Sequence, residues 1–224
     1  EMDRMTCLLH NLAQPFMQNT VQTFFRYLPV SRRDEKWGLY VTTAGRSRIP
    51  PHTTYPPGGH PKNYNFDWRR GRVLADHQVV YISSGRGWFE SRGVGRRRIE
   101  SGDAFVLFPG VWHRYAPDRK TGWDEHWVGF DGETARRLVH NGFFSPRAPM
   151  LRAAREDAVL GVFNAIMEAI QTPQPALQQV LAGLTARLLA LLYSTAQASL
   201  AEDTRAIAVI HEAVRLMHGD TATA

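Results

Sequence analysis

The sequence predicts an α+β protein in which a β-sandwich or barrel is followed by an antiparallel helical hairpin. Between residues 37 and 130, short runs of β-branched and aromatic residues alternate with glycine- and proline-rich turns, a pattern typical of all-β sandwiches and barrels. After Gly132 these frequent turns end, and long stretches with apolar residues at helical spacing follow. The 224 residues are 43% hydrophobic and 21% charged, which is enough apolar material to bury a substantial core.

Seven strands and one long loop are predicted within residues 37–131, the barrel segment. The strands are predicted at 38–43, 64–68, 78–82, 88–91, 97–100, 104–108 and 126–130. The run TTYPPGGH at 53–60 is predicted as a loop, because two prolines and two glycines sustain neither a helix nor a strand ladder. Residues 1–36 precede the barrel as an N-terminal arm or helical segment.

Helices are predicted for the rest of the chain. They are expected at 133–141, at 155–171, from 176 to about 199, and at 204–217. The run Thr-Pro-Gln-Pro at 172–175 breaks the helical pattern, because proline cannot supply the helical hydrogen bond and clashes with the preceding turn. The two long helices on either side of this turn are therefore predicted to form the hairpin.

The second long helix carries a leucine seam at the 3.5-residue period of coiled coils. Its members are Leu177, Leu181, Leu184, Leu188 and Leu191. The hairpin either only caps the barrel or also joins two subunits, because Val180, Leu189 and Leu192 add a second apolar flank. Dimerisation is the favoured interpretation, and the leucine seam is assigned to a homodimer contact.

Charge and composition narrow the function only slightly. The net charge of +6 and the pI near 9.8 weakly favour an acidic or nucleic-acid partner, but the basic runs at 69–72 and 96–98 lie in strand-like segments and are predicted to be solvated or ligand-facing. Cys7 is the only cysteine, which excludes an intrachain disulfide and fits the cytoplasm. The apolar stretch 177–193 is interrupted by polar residues, so no membrane helix is expected.

Two motifs of the barrel segment resemble a known family. The run ESGDAFVLFPGVWHRYAP combines a Gly-Asp turn, an apolar strand, Pro-Gly and a histidine, and the Trp-rich run GWDEHWVGF follows it. The matching residues are Gly102, Asp103, Pro109, Gly110, His113, Tyr115, Trp123 and Trp127. Together with the hairpin, about 100 residues resemble the sensor domain of AraC-type transcription regulators.

This resemblance implies a fold and a division of the chain. The barrel at 37–131 is expected to be a cupin-like jelly roll, and 132–202 is expected to be the helical dimerisation region. The last segment, 203–224, resembles the first helix of the family's DNA-binding domain. The chain is therefore expected to sense a ligand, as a non-enzyme, and to reach DNA only through a helix-turn-helix domain that it lacks.

Glu125 and Trp127 share one face of the strand after Gly122, and His113 and Tyr115 share one face of the strand end before it, because strand residues alternate. The resemblance implies that this face points into the barrel and forms a sugar site. Tyr115, Glu125 and Trp127 match positions that contact sugar in the arabinose-responsive member, and Arg69 falls near that member's sugar-binding arginine. Glu125 departs from the family pattern, which has histidine there, and this puts arabinose itself in doubt. The remaining candidates are Arg72 and His113, with His60 in the loop and Tyr64 in the strand after the Pro-Gly turn, both of which could close over the ligand. A mono- or short oligosaccharide is the expected effector.

Two alternatives remain open from the sequence. A cupin-type isomerase or dioxygenase would use the same barrel, but its metal site needs two histidines one residue apart on a strand, and no His-x-His occurs in the chain. No metal and no cofactor are therefore expected. A pure dimerisation module with an apolar, filled barrel is the third hypothesis, and the many polar groups on strands that should face inward speak against it.

Overall fold

The computed structural model describes residues 20–56, 68–153 and 156–219, and for 199–219 it describes the backbone only. In chain order the elements are β1 (Gln22–Tyr27), α1 (Arg32–Glu35), β2 (Tyr40–Ile49), β3 (His77–Ser91), β4 (Gly95–Glu100), β5 (Asp103–Leu107), β6 (His113–Pro117), β7 (Trp123–Asp131), α2 (Glu133–His140), β8 (Met150–Arg152), α3 (Glu156–Gln171) and α4 (Leu177–Gly219). The α+β prediction is confirmed.

The strands form two antiparallel sheets that share β3. The larger sheet has the order β1-β2-β7-β3-β5-β8, and β4 and β6 pair with the second half of β3 to form the smaller sheet. β3 passes from one sheet to the other at Gly85, where its partner changes from β7 to β4 and β6. A side chain at Gly85 has no room, because its Cβ would lie 2.3 Å from the carbonyl oxygen of Gly122.

The two sheets enclose the barrel interior, which is lined by alternate residues of each strand. Its buried apolar residues are Ile49, Leu74, Val80, Ile82, Phe89, Ile99, Phe105, Leu107, Tyr115, Trp123 and Trp127. Phe89 and Phe105 approach within 4.7 Å between ring centroids, and Phe105 lies 5.2 Å from Tyr115. The interior is thus rich in aromatic side chains.

A second core joins the outer face of the larger sheet to α3 and α4. Residues that alternate with the interior ones, such as Tyr81 and Val128, face this side and pack against α3. The Phe163 ring of α3 stacks on Tyr81 with ring centroids 6.0 Å apart. At the start of α4, the Gln178 side chain accepts from the Val41 N–H at 2.9 Å and donates to the Val41 carbonyl at 3.0 Å, so a buried polar group fastens the helix to β2.

Several predicted strands were confirmed, and others differ in the structure. The segments predicted at 78–82 and 88–91 form one strand, because the residues between them stay extended and make no turn. In the N-terminal arm, 22–27 is a strand on the edge of the larger sheet and not a helix, and only the capping box of Ser31 and Asp34 begins a short helix. Most of the strand predicted at 64–68 lies outside the described residues. β8 was not among the predicted strands, and β6 was expected only as a strand end at His113 and Tyr115.

The predicted break between the last two helices is wrong. Residues 177–219 form one continuous helix. The sequence SLAEDT at 199–204 contains neither glycine nor proline, so the backbone has no residue that disfavours a helix there. The boundary expected at 202–203 is therefore not marked by a helix end.

The leucine seam divides between two environments. Leu181 and Leu188 are fully buried against the chain's own helix and sheet, so within one protomer they are unavailable for a contact with a second copy. Leu177, Leu184 and Leu191 are partly buried at the edge of the same core. The assignment of Leu181 and Leu188 to a dimer contact is corrected accordingly, because the hairpin itself already covers them.

One stretch of α4, Leu177–Ala198, is long and apolar enough to cross a membrane by length and composition alone. The core helices of soluble proteins share this property. Here Leu181, Leu188 and Leu192 have no exposed surface, because they pack into the core formed with α3 and the larger sheet.

Candidate ligand-binding site in the barrel

A cluster of polar side chains lies inside the barrel, on the face of β6 and β7 that was predicted to point inward. His113 and Tyr115 alternate along β6, and Glu125 and Trp127 alternate along β7; all four are buried. Arg72 joins them because its backbone pairs with His113, with N–H to carbonyl distances of 2.9 and 3.0 Å. Five of the eight predicted ligand-binding residues therefore come together.

Arg72 ties the histidine to the tyrosine. Its Nε donates to His113 Nε2 at 3.2 Å, and its Nη2 donates to the Tyr115 hydroxyl at 2.7 Å. The guanidinium carbon lies 5.5 Å from the centre of the Tyr115 ring, a cation–π distance. Arg72 thus holds both β6 side chains in one arrangement at one end of the barrel.

His113 is neutral in this arrangement. Burial and, to a smaller extent, the nearby charge of Arg72 lower its pKa to about 3, although the hydrogen bond to the Val111 carbonyl opposes this. Because Nε2 accepts the bond from Arg72, the proton is on Nδ1, which lies 3.0 Å from the Val111 carbonyl oxygen and donates to it. Both ring nitrogens are occupied, which leaves His113 as a support for Arg72.

Glu125 is the most unusual residue of the interior. Burial raises the pKa of its carboxyl to about 8, although the hydrogen bond from Tyr55, the charge of Arg72 and the Trp123 indole partly oppose this. The Tyr55 hydroxyl donates to Glu125 Oε2 at 3.0 Å. At neutral pH the carboxyl is therefore mostly protonated, and its O–H and C=O groups act as a donor and an acceptor.

Tyr55 contacts this carboxyl, and Trp127 lies two residues further along the inward face of β7. The Tyr55 ring lies edge-on to Trp123 at 5.7 Å and tilted against Tyr115 at 6.1 Å. Trp127 is 7% exposed and lies over Gly45, where an added Cβ would come within 2.3 Å of its ring. The absence of a side chain at Gly45 is what allows the Trp127 ring to lie flat along β2.

A depression of about 530 Å³ beside β1 reaches Glu125 from outside the barrel. Thr23 and Ser47 line it, and their hydroxyls are hydrogen-bonded to each other at 2.5 Å. Arg46, Arg48 and Asp124 also line the depression, so its wall is polar and partly charged. Polar groups of this kind beside a buried carboxyl suit a ligand that carries several hydroxyl groups.

The other predicted site residues do not join this group. Arg69 is exposed in the turn at 68–70, away from the interior face, so the structure does not support its assignment to the pocket. His60 and Tyr64 lie outside the described residues. Tyr55, which contacts Glu125, was not predicted, because it belongs to a loop whose sequence has no periodicity to show which way a side chain faces. Within the described parts of the chain, no three His, Cys, Asp or Glu residues are grouped to hold a metal ion.

The fold and the site together define a class of protein. An antiparallel two-sheet barrel encloses a buried polar and aromatic interior, and helices cover one outer face, which is the architecture of a cupin-like ligand-binding domain. Residues 55–217 match the family model described as the AraC-like ligand binding domain. The chain therefore belongs to the AraC-like ligand binding domain family, as its motifs predicted.

Known proteins similar to the chain include one regulator and several cupins. The MmsAB operon regulatory protein of Pseudomonas aeruginosa is 33% identical over 106 residues, which are 46% of this chain and 34% of that protein, so the chain spans about a third of this relative's length. Oxalate decarboxylase from Bacillus subtilis is 13% identical, with a TM-score of 0.33, over 60% of this chain and 28% of that one. The Schizosaccharomyces pombe Cnp3 cupin domain is 12% identical, with a TM-score of 0.32, over 56% of this chain and 77% of that one.

Proposed function

We propose that the chain is the ligand-sensing and dimerising part of a cytoplasmic transcription regulator, and that it binds a mono- or short oligosaccharide in its barrel. The bound sugar controls DNA binding by a helix-turn-helix domain of the whole protein. The observation that carries the sugar proposal is the buried Glu125 carboxyl, which accepts from the Tyr55 hydroxyl inside an interior rich in aromatic side chains and whose pKa is raised by burial. Family membership and the relative's role as an operon regulator support the regulatory part.

A neutral polyhydroxylated ligand matches the chemistry of this interior. A protonated carboxyl and tyrosine hydroxyls both donate to and accept from sugar hydroxyls, and aromatic rings such as Trp127 cover the apolar face of a sugar ring. The one cation of the group, Arg72, already donates to His113 and Tyr115. A neutral carboxyl offers hydrogen bonds and no charge, which matches an uncharged sugar.

No observation favours the alternative of a sugar-modifying enzyme. A metal-free acid–base mechanism would need a titratable pair near neutral pH. Both ring nitrogens of His113 are occupied, and its pKa is held near 3, so it is a poor partner for Glu125 in proton transfer.

The sugar proposal predicts that Glu125→Gln weakens sugar binding about tenfold, because the amide NH2 group only donates, whereas the O–H of a protonated carboxyl both donates and accepts, and a hydrogen bond lost in a buried site is worth about 1–3 kcal/mol. The measurement is thermal shift followed by calorimetric titration against a panel of mono- and oligosaccharides at pH 6.5, with Zn²⁺ and Mn²⁺ titrated in parallel. Trp127→Ala is expected to lower the affinity for the same sugar, because the aromatic ring that would cover the apolar face of the sugar is lost.

The matched control for this experiment is Glu168→Gln, which makes the same chemical change on an exposed position of α3. It should bind sugar like the original protein. Two results would exclude the barrel interior as the sensor. One is that no sugar of the panel binds saturably, and the other is that both Glu125→Gln and Trp127→Ala leave the sugar affinity unchanged. Stabilisation by a metal alone would favour the enzyme instead.

Dimerisation is proposed through the exposed flank of α4. Val180 is 41% exposed, and Leu184 and Leu191 continue its face at helical spacing with part of their surface still accessible. The occupant proposed for this flank is a second copy of the chain, because a two-fold contact between identical helices buries the same stripe on both sides. A sugar that binds differently to two dimer geometries would then shift the population between them.

The dimer proposal predicts that Val180→Glu converts a dimer into a monomer at micromolar concentration, since a carboxylate would be buried opposite its own copy. Sedimentation equilibrium gives the mass directly. Thr172→Glu, which adds the same charge at an exposed position of the α3–α4 connection, should remain dimeric. A monomeric original protein, or a Val180→Glu variant that stays dimeric, would contradict an interface on this flank.

A further inference from the structure

The smaller sheet carries a second concave surface, on its outer side. This feature, here called the aromatic-basic groove, has a volume of about 720 Å³, and its walls include the rings of Tyr55, Trp68 and Trp88. Its volume lies within the range of small-molecule sites, which run from about 300 to 1,000 Å³. Neither the family assignment nor the sugar proposal uses most of these residues.

Strand register shows that the groove and the barrel interior lie on opposite faces of the same sheet. Phe89 and Tyr115 are direct partners in the register and both face the buried interior, and the neighbouring residue Trp88 faces outward. On β4, Arg96 lines the groove and Ile99 points into the interior. A ligand in the groove would therefore be separated from a sugar in the barrel by the sheet, although Tyr55 lines the groove and also contacts Glu125.

Arg96 is held between two indoles. Its guanidinium carbon lies 4.3 Å from the centre of the Trp88 ring and 5.2 Å from the centre of the Trp68 ring. No carboxylate among the described residues forms an ion pair with it. Stacking of this kind fixes the plane of a guanidinium and leaves its N–H edge free for bidentate contact with an anion.

The acidic residue nearest to Arg96 on β3 is paired with a different arginine. Arg114 lies 4.6 Å from the centre of the Trp68 ring and forms an ion pair with Glu90 at 2.7 Å. The nearest acid on β3 is therefore already paired with another arginine. This arrangement leaves the positive charge of Arg96 uncompensated at the groove.

The rest of the lining adds to the positive charge. Arg86, Arg119 and Lys120 also line the groove, and the lining described here contains one carboxylate, Asp118. That carboxylate is already engaged, since it accepts from the Lys120 backbone N–H at 2.7 Å and lies 3.7 Å from Arg86 Nε. The groove therefore presents an excess of positive charge beside flat aromatic surfaces.

We infer that the aromatic-basic groove binds a small organic phosphate that carries a planar ring, with the phosphate at Arg96 and Lys120 and the ring against the aromatic surface that Arg96 and Arg114 leave uncovered. A dianionic phosphate matches several cations and the bidentate edge of a guanidinium. A compact concavity favours a small molecule over duplex DNA, which requires an extended basic stripe. The site is independent of the sugar proposal.

The test titrates the protein with 5′-AMP, adenosine and inorganic phosphate and follows Trp fluorescence and calorimetric heat. AMP is expected to bind saturably, and phosphate alone or adenosine alone should bind at least tenfold more weakly. Arg96→Gln should weaken AMP binding at least tenfold, and Lys120→Gln should weaken it severalfold. Arg97→Gln removes the same charge from the next residue of β4, whose position opposite Phe89 places it on the other face, and should stay within twofold.

Two results would overturn the inference. One is AMP binding that is absent or equally weakened by Arg96→Gln and Arg97→Gln, which would indicate general attraction to a basic protein. The other is a duplex oligonucleotide that competes with AMP and binds more tightly in an Arg96-dependent manner, which would make the groove a nucleic-acid surface. Far-ultraviolet circular dichroism checks the fold of each variant, and Lys120→Gln keeps the test valid if Arg96→Gln does not fold. Sugar binding is measured in parallel, so that the sugar proposal for the barrel is tested separately from the groove.

Discussion

Replacing Glu125 by glutamine is expected to stabilise the protein strongly above pH 8 and only slightly near pH 5. The carboxyl has a pKa of about 8 in the folded state because of burial, against 4.5 as its ordinary value. The folded state therefore holds a proton that the unfolded chain releases between these two values. Stability from this group is fully present below pH 4.5, falls as pH rises, and is lost above about pH 8.

The size of this effect follows from the width of the pH interval. Each pH unit within it removes up to about 1.4 kcal/mol, so the difference between variant and original protein should reach several kcal/mol at pH 8.5. Glutamine is neutral at every pH and still accepts the hydrogen bond from the Tyr55 hydroxyl. Urea unfolding at pH 5.0, 7.0 and 8.5 measures the difference.

Other titrating groups do not disturb this comparison. Burial lowers the pKa of His113 to about 3 and of His126 to about 4, so their contribution is present above pH 6.5 and is lost as pH falls. Both histidines are present in the variant and in the original protein, and they cancel in the difference. Glu168→Gln, at an exposed position, should show no pH-dependent gain. A gain for Glu125→Gln that is equal at pH 5.0 and 8.5 would show that burial does not control this carboxyl.

The inward face of β7 could be predicted because strand residues alternate between two faces. Once a Trp-rich strand was recognised, Glu125 and Trp127 had to share one side. The same reasoning placed His113 and Tyr115 together on β6. Arg72 was predicted from its charge, but its actual role, donating to both of these side chains, depends on a backbone pairing that joins residues far apart in sequence.

Residues in turns and loops could not be placed in this way. Arg69 and Arg72 are three residues apart, yet one is exposed in a turn and the other reaches the interior. Tyr55 was missed for the same reason, since a loop has no period that shows which way its side chains face. Sequence reasoning therefore identified the strand residues of the site and failed at the residues that connect them.

The continuity of β3 also escaped prediction, for a reason visible in its packing. The stretch from Ser83 to Gly87 is small and polar, which is typical of a turn. In the structure the small residues are needed because β7 crosses closely, and a Cβ at Gly87 would lie 2.6 Å from the Trp123 ring. Glycine thus marks a close approach of two strands here and not the end of one.

The leucine seam shows a further limit of periodicity. Its spacing correctly identifies the buried face of α4, but a period cannot show whether the chain itself or a second copy covers that face. The structure assigns Leu181 and Leu188 to the chain's own core. The dimer contact proposed above therefore uses the neighbouring stripe that begins at Val180.

Phe163→Ala is expected to lower the free energy of unfolding by about 3–5 kcal/mol, the usual cost of truncating a buried phenylalanine. Phe163 is 1% exposed, and its ring contacts Tyr81 and His126, with centroids 6.0 and 5.6 Å away. These two partners belong to β3 and β7, so the phenylalanine joins the helical hairpin to both central strands of the larger sheet. Its loss opens a cavity where the two layers meet.

Tyr81 gives this prediction a second, local measurement. Burial raises the pKa of its hydroxyl to about 12. Removing the stacked ring of Phe163 should admit water and lower that pKa toward 10, which an absorbance titration at 295 nm can follow. Asn164→Ala, at an exposed position next to Phe163 on α3, should change neither the unfolding free energy nor the tyrosine titration. A loss below about 1 kcal/mol for Phe163→Ala would mean that the hairpin does not depend on this contact, because truncation of a fully packed aromatic ring should cost several times more.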